Sequence, residues 1–228
     1  MGQGISVILD TLNPGTAAGF LFITAVISYL LGTCNGAVLV SRFFLGDDVR
    51  KHGSGNGGPT NFQRTYGGNK LTLIVIATDM LKVVISVAIT WLLFSIVMPP
   101  DSIPMFVKFW AGVFCVLGHV FPCTLHFHGG KGILCGGTLA LLVDWRVALI
   151  AWGCFFLGVL ITRWVSLGSL MAATAFGVSA AICYPTPSIA IPVLLAAALI
   201  DWKHRGNFMR LIRGEEPKLS FHRKKAEP

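Results

Sequence analysis

The sequence has 228 residues, of which 54% are hydrophobic and only 12% charged. Soluble globular domains carry roughly twice that charge, about 25%, so a surface that faces water throughout is excluded. The net charge of +8 calls for no nucleic-acid partner, because basic loops on one membrane face and anionic lipid headgroups account for it.

No cleavable signal is expected at the start, where residues 1–14 contain no Lys or Arg. Met1-Gly2-Gln3-Gly4-Ile5-Ser6 fits the myristoylation pattern, but a chain with many spans needs no lipid anchor, and the match is read as chance. Residues 17–40 then run for 24 positions without a charge, enough to cross a hydrocarbon core about 30 Å thick. Further apolar runs follow at 71–97, 109–125, 133–143, 147–162, 167–184 and 188–200. In lipid every backbone N–H and C=O needs an internal partner, so long runs without alternation are helices. The expected fold is an all-α polytopic membrane protein of about seven transmembrane helices. The run at 133–143 is short enough to be re-entrant instead. The six cysteines lack metal-ligand spacing such as C-x-x-C and mostly lie in apolar runs, as buried small hydrophobes do.

With seven spans, 15 of the 18 Lys and Arg residues fall in the segments after spans one, three, five and seven. The positive-inside rule then puts the N-terminus outside and the C-terminus in the cytoplasm. One integral-membrane domain is expected over 1–215, followed by a basic, disordered cytoplasmic tail over 216–228. Asp144, in a turn expected to face outward, has no expected role.

Four cytoplasmic segments carry more than a connector needs. The first, residues 49–64, includes Gly53-Ser54-Gly55-Asn56-Gly57-Gly58. Its missing Cβ atoms let the backbone approach a ligand, and successive N–H groups can form an anion-binding nest. Ser54, Asn56, Thr60 and Asn61 add neutral donors, and Arg64 adds a fork suited to phosphate. A flexible linker would share the Gly/Ser composition, but has no use for Thr60-Asn61 and Arg64. The second segment joins Gly118-His119-Val120-Phe121-Pro122 to Gly129-Gly130-Lys131-Gly132. Its turn resembles a phosphate cradle without being a P-loop, since no Ser or Thr follows Lys131; alone it is equally an ordinary basic turn. In the third, Ser166 fits a helix cap and Ser169, one turn on, a ligand contact. In the fourth, His204 and Asn207 stand at i and i+3 and face the same way if the last helix continues. Trp202, Lys203 and Arg205 fit an interface segment. Asp79 and Lys82, inside the second span, are either an ion pair holding helices together or part of the site.

Together these segments resemble the bacterial membrane acyl-phosphate:glycerol-3-phosphate acyltransferases over about residues 29–215. The resemblance rests on Gly53-Ser54-Gly55-Asn56 through Thr60-Asn61 and Arg64, on Gly118-His119-x-Phe121-Pro122 with Gly129-Gly130-Lys131-Gly132, on Ser166-Leu167-x-Ser169 and on His204-Arg205-x-Asn207. It implies acyl transfer from acyl phosphate to the 1-position of glycerol 3-phosphate, giving lysophosphatidate and phosphate, as the first step of phospholipid synthesis at the bacterial inner membrane. By motif position Ser54 matches the active-site serine. Arg64, Lys131, Ser169, His204 and Asn207 match substrate-contacting residues. Three departures bear on local helix shape and chain preference: Thr33-Cys34-Asn35 for the usual Ser-Ile-Pro, Pro59 for a small residue, and Leu134-Cys135 for Ala-Thr.

The substrates expected are acyl phosphate and glycerol 3-phosphate, with membrane lipid around the chain and no cofactor, metal or obligate protein partner. Ser54, His204 and Asn207 are the expected reacting-centre residues. Gly53, Gly55, Asn56, Thr60, Asn61, Arg64, residues 129–132 and Ser169 are the expected binding residues. None of the six histidines has Asp five positions on, so the H-x-x-x-x-D dyad of soluble-type glycerolipid acyltransferases is absent, and with it coenzyme A thioester as the expected donor. The alternative is a transporter of a phosphorylated solute, which should show internal repeats with broken helices; the two halves show no self-similarity.

Overall fold

A computed structural model of the chain describes residues 4–68 and 70–219. Gly2 of the lipidation pattern and residues 220–228 of the expected tail lie outside the described residues. Among the described residues the regular structure is helical: α1 (Ser6–Thr11), α2 (Pro14–Thr33), α3 (Gly36–Leu45), α4 (Pro59–Tyr66), α5 (Lys70–Phe94), α6 (Phe106–Val120), α7 (Ile133–Val143), α8 (Trp145–Thr162), α9 (Val165–Cys183), α10 (Pro187–Lys203) and α11 (Arg205–Ile212). Five of these are long and apolar enough to cross a membrane: α2, α5, α6 with the turn after it, α8 and α9. The expected seven is therefore met by five on length and composition. At 17 residues α10 is at the lower limit for a span. At 11 residues α7 rises only about 16 Å, half a hydrocarbon core.

The run at 17–40, expected as one span, is two helices. Pro14 opens α2 behind Asn13, whose side chain accepts from Thr16 N–H at 2.9 Å. The helix stops at Thr33. Asn35 then caps α3 by accepting from Val38 N–H at 3.0 Å. Apolarity alone cannot mark this break, because an Asn inside a hydrophobic run adds no charge and reads as span.

α2 and α6 cross closely. A Cβ on Gly32 or Gly118 would overlap the facing backbone at Cys115 or Tyr29, the small-residue contact that lets membrane helices approach. The Tyr29 hydroxyl donates to Phe121 O at 2.7 Å and holds the lower end of the crossing together. Short α7 packs centrally against α5, α6, α8 and α9. Large apolar side chains such as Phe22, Leu73, Leu92, Leu160 and Ile182 remain exposed on the outside, as lipid-facing positions do.

Buried Asp79 and Lys82 tie three elements together. Lys82 Nζ donates to Asp79 Oδ1 at 2.8 Å, to Cys34 O at 3.0 Å and to His119 Nδ1 at 2.6 Å. Asp79 Oδ1 also accepts from Gly36 N–H at 3.1 Å. The pair thus joins α5 to the α2–α3 break and to the end of α6; Lys82 Nζ and Asp79 Oδ1 have the hydrogen-bond partners a buried charge needs, while Asp79 Oδ2 is buried without one. Both Asp79 and His119 also border the polar cavity described below.

Asp144 is not idle. It caps α8 by accepting from Arg146 N–H at 2.8 Å, binds that guanidinium at 2.7 Å and accepts from the Tyr184 hydroxyl at 3.0 Å. Its role is to lock the α7–α8 corner to the end of α9.

Candidate functional site

The glycine loop is organised from inside by Asn61, on the first turn of α4. Its Oδ1 accepts from Ser54 N–H at 3.0 Å. Its Nδ2 donates to Val49 O, His52 O and Asn56 O, each at 3.1 Å. Gly53 and Gly55 take positive φ of 58° and 69° to make this tight path, a region that favours glycine. Asn35 reaches across from the helix break and donates to Gly57 O at 2.8 Å. Pro59 is the first residue of α4, where its fixed φ suits a helix start. The Asn61 amide is therefore engaged within the loop, and Asn61 borders the cavity together with Ser54, Asn56, Thr60 and Arg64.

The Gly129-Gly130-Lys131-Gly132 turn is laid against the end of α6. Gly130 N–H donates to His119 O at 3.1 Å, and a Cβ on Gly130 would overlap the His119 ring. Gly129 is equally confined by His119 O and Pro122. Gly132, at φ 86°, caps α7. Arg50, held by Asp48 at 2.8 Å, donates to His128 O at 3.2 Å and joins this turn to the glycine loop. Lys131 projects between them, its Nζ donating to Asn207 Oδ1. Burial pushes the Lys131 ammonium down to about 8. Arg210, Arg64 and Lys203 push the same way and Glu216 opposes them.

Two helix ends close the site. Ser169 donates its hydroxyl hydrogen to Val165 O at 2.8 Å, which leaves its oxygen as an acceptor. Ser166 does not cap α9: Trp164 is the cap residue and no side chain bonds the helix start. The Ser166 side chain borders the cavity instead. At the α10–α11 junction His204 Nδ1 lies 2.8 Å from Ile200 O. A carbonyl only accepts, so Nδ1 carries the hydrogen and Nε2 the free lone pair. Burial, then the neighbouring Lys131, lowers His204 to about 4, so it is neutral near pH 7. Asn207, one turn on, faces the same way, as its i+3 spacing from His204 anticipates.

Sequence reasoning missed Glu216, the residue at which the tail was expected to begin. Glu216 is buried, with Oε1 accepting from Asn207 Nδ2 at 2.8 Å and Oε2 from Arg210 Nε at 2.7 Å. Burial pushes its carboxyl up, but the bonds from Asn207 and Arg210 prevail and the net shift is downward. The one available signal was a Glu pair after a basic stretch, which reads as a solvated tail.

Ser54, Asn56, Thr60, Asn61, Arg64, Lys131, Gly132, Ser169, His204 and Asn207 thus border one polar cavity. Gly53, Gly55, Gly129 and Gly130 do not border it; they shape the two turns that do. Beside it lies an apolar cavity of about 310 Å³, walled by side chains including Ile76, Met80, Trp152, Phe155 and Phe176. Thr60, Ile133, Leu134, Val165 and Ser169 border both cavities. Among the described residues no group of three or more His, Cys, Asp or Glu side chains is placed to hold a metal ion.

The glycerol-3-phosphate acyltransferase family model matches residues 22–214. A glycerol-3-phosphate acyltransferase of Thermoanaerobacter sp. (strain X514) is 36% identical over 200 residues, covering 88% of this chain and 96% of that protein. One from Bacillus subtilis (strain 168) is 34% identical, covering 86% and 96%. The crystal structure of PlsY (YgiH), an integral membrane glycerol 3-phosphate acyltransferase in its glycerol 3-phosphate form, superposes with a TM-score of 0.76 at 29% identity, covering 88% of this chain and 96% of that one. With its helical membrane frame and its four motifs gathered at one cavity, the chain belongs to the PlsY-type glycerol-3-phosphate acyltransferase family, integral membrane acyltransferases of phospholipid synthesis.

Proposed function

We propose that this chain transfers an acyl group from acyl phosphate to the sn-1 hydroxyl of glycerol 3-phosphate, at the cytoplasmic face of a bacterial inner membrane, giving lysophosphatidate and inorganic phosphate. The observation that carries this reading is the junction of the two cavities. A polar chamber bordered by the cationic Arg64 and Lys131 suits phosphate groups, and the adjoining apolar chamber suits an acyl chain.

In this reading Arg64 and Lys131 grip glycerol 3-phosphate, and the Ser54 loop holds the acyl phosphate. His204 and Asn207 orient the acceptor, and Ser169 accepts from a substrate hydroxyl at the chamber boundary. The hydroxyl oxygen forms a bond to the acyl carbonyl carbon as the carbonyl–phosphate bond breaks, and phosphate leaves with the electron pair. Phosphate is a good leaving group, so positioning and oxyanion stabilisation are the main tasks. A His204 lowered to about 4 is a weak base. A departing phosphate oxygen, with a second pKa of about 6 for phosphomonoesters, is a better proton acceptor. This supports the reading in which the hydroxyl proton ends on phosphate while neutral His204 orients the hydroxyl through Nε2.

The test is an assay of purified protein with palmitoyl phosphate and glycerol 3-phosphate, beside palmitoyl coenzyme A, with and without chelator. Turnover with acyl phosphate that survives chelator is expected. Equal use of the thioester, or loss of turnover to chelator, overturns the donor or the metal-free chemistry respectively.

Sidedness has its own test. In a cysteine-free background, single cysteines at Gly68 and Gly206 should resist an impermeant thiol reagent applied to whole cells, while one at Ser102 should react. All three positions are exposed. External labelling at Gly68 would reverse the proposed orientation.

A further inference from the structure

We propose that Glu216 is a positioning residue for glycerol 3-phosphate binding, fixing the Asn207 amide and the Lys131 ammonium in their working orientations; the proposal rests on the site reading above. Glu216 lies two residues beyond the segment matched by the family model; it borders the same polar cavity and bonds Asn207 and Arg210 there.

The geometry is a relay. The carboxylate only accepts, so the Asn207 group facing Oε1 at 2.8 Å is its NH₂. That leaves the Asn207 oxygen turned to Lys131, from which it accepts. With Glu216 absent, nothing at that end prevents the amide from turning and presenting its NH₂ to the ammonium, donor against donor. The second oxygen is held by Arg210 Nε at 2.7 Å, and Arg64 approaches Oε1 at 3.6 Å.

The backbone around Glu216 is anchored as a positioning device requires. Trp164 Nε1 donates to Glu216 O at 3.1 Å, Arg64 Nη2 donates to Pro217 O at 3.2 Å, and Leu219 N–H donates to Arg163 O at 2.7 Å. These bonds hold the segment after α11 across the start of α9 and against α4. A solvated tail would not sink a carboxylate among Arg64, Lys131 and Arg210.

Glu216 is also an acidic group acting on Lys131. Arg210, Arg64 and Lys203, which act on the same ammonium, are cationic; Asp79, which borders the same cavity, is paired with Lys82, and neighbouring His204 is neutral near pH 7. Each cation weakens the protonated form of Lys131 and Glu216 strengthens it. The protonated form is the one that grips a phosphate dianion. Removing the Glu216 charge therefore moves Lys131 titration to lower pH, and binding at slightly alkaline pH weakens.

The experiment compares full-length wild type, Glu216→Gln and Glu216→Asp, purified in detergent. One arm measures kcat and KM for glycerol 3-phosphate from pH 6 to 9. The other reads the pH midpoint of Lys131 labelling by an amine-reactive reagent, by mass spectrometry and without substrate. Glu216→Gln should raise KM for glycerol 3-phosphate about tenfold or more at slightly alkaline pH, leave kcat nearly unchanged and lower the labelling midpoint. Glu216→Asp, which keeps the charge, should hold the midpoint near the wild-type value.

The proposal is overturned if Glu216→Gln leaves KM and midpoint unchanged, or cuts kcat alone as general damage would. It is equally overturned if Glu216→Asp shifts the midpoint as far as Glu216→Gln. Should Glu216→Gln not fold, the kinetics of Glu216→Asp decide, because the shorter side chain draws the carboxylate away from Asn207: a raised KM for glycerol 3-phosphate at nearly unchanged kcat supports the arrangement, and a wild-type KM sinks it. A wild type that labels as expected but does not acylate glycerol 3-phosphate defeats the proposed function and not the Glu216 relay.

Discussion

Lys131→Ala is expected to lower kcat/KM for glycerol 3-phosphate about 10- to 100-fold or more. Losing a hydrogen bond to a charged group costs about 1.5–3 kcal/mol, and about 1.4 kcal/mol is a factor of ten. The upper end applies here, because the lysine is largely withdrawn from water and its ammonium is aimed by Asn207. Water that fills the vacated space cannot replace a directed charge in so confined a chamber. The kinetics should be measured on folded, membrane-inserted protein with acyl phosphate saturating. Asp144→Ala is unsuitable as the control, since that carboxylate caps α8 and bonds Tyr184. Asp101→Ala, exposed between α5 and α6, should leave kcat/KM within error. Wild-type kinetics in Lys131→Ala would remove the lysine from the site.

Gly130→Ala should be as damaging although it deletes no functional group. The added methyl would overlap the His119 ring. That ring cannot swing away cheaply, because Lys82 donates to its Nδ1 at 2.6 Å and Asp79 holds Lys82 in turn. The turn must therefore move, and Lys131 moves with it. Overpacking of this kind costs about 1–3 kcal/mol of stability, and a displacement of about 1 Å at a reacting site can cost about 100-fold in rate. The expected result is a folded protein, slightly lower in melting temperature, with activity down about 100-fold. Near-normal turnover in Gly130→Ala would mean that the turn does not position Lys131 against His119.

The chemistry of the site was more legible in the sequence than its assembly. Arg64, Lys131, Ser169, His204 and Asn207 were all named from motif position, and all border one cavity. His204 and Asn207 share the cavity although the last apolar helix stops at Lys203 rather than running on, because His204 is the cap residue of α11 and Asn207 lies in its first turn. Asn61, expected as a binding residue, also borders the cavity, but its place at the centre of the loop was not legible. Its amide finds four backbone partners between Val49 and Asn56, and which polar group turns inward is decided by the whole loop path. Ser166 likewise lost its cap role because α9 begins one residue before it.

Hydropathy over single runs determined that this chain belongs in a membrane and is helical, since backbone groups in lipid leave no other economical arrangement. The four polar segments could be singled out as the expected site, because glycine, Arg, Lys and hydroxyl side chains at short spacing have intrinsic reach and charge. Only tertiary structure decided where the first apolar run breaks, since Asn35 acts as a cap once Gly57 O is near its amide. Only tertiary structure brought Lys131 to Asn207, 76 residues away, and drew Glu216 in from the expected tail. Hydropathy and spacing are properties of neighbours in sequence, whereas the partner of a buried charge is chosen by which distant segments pack beside it.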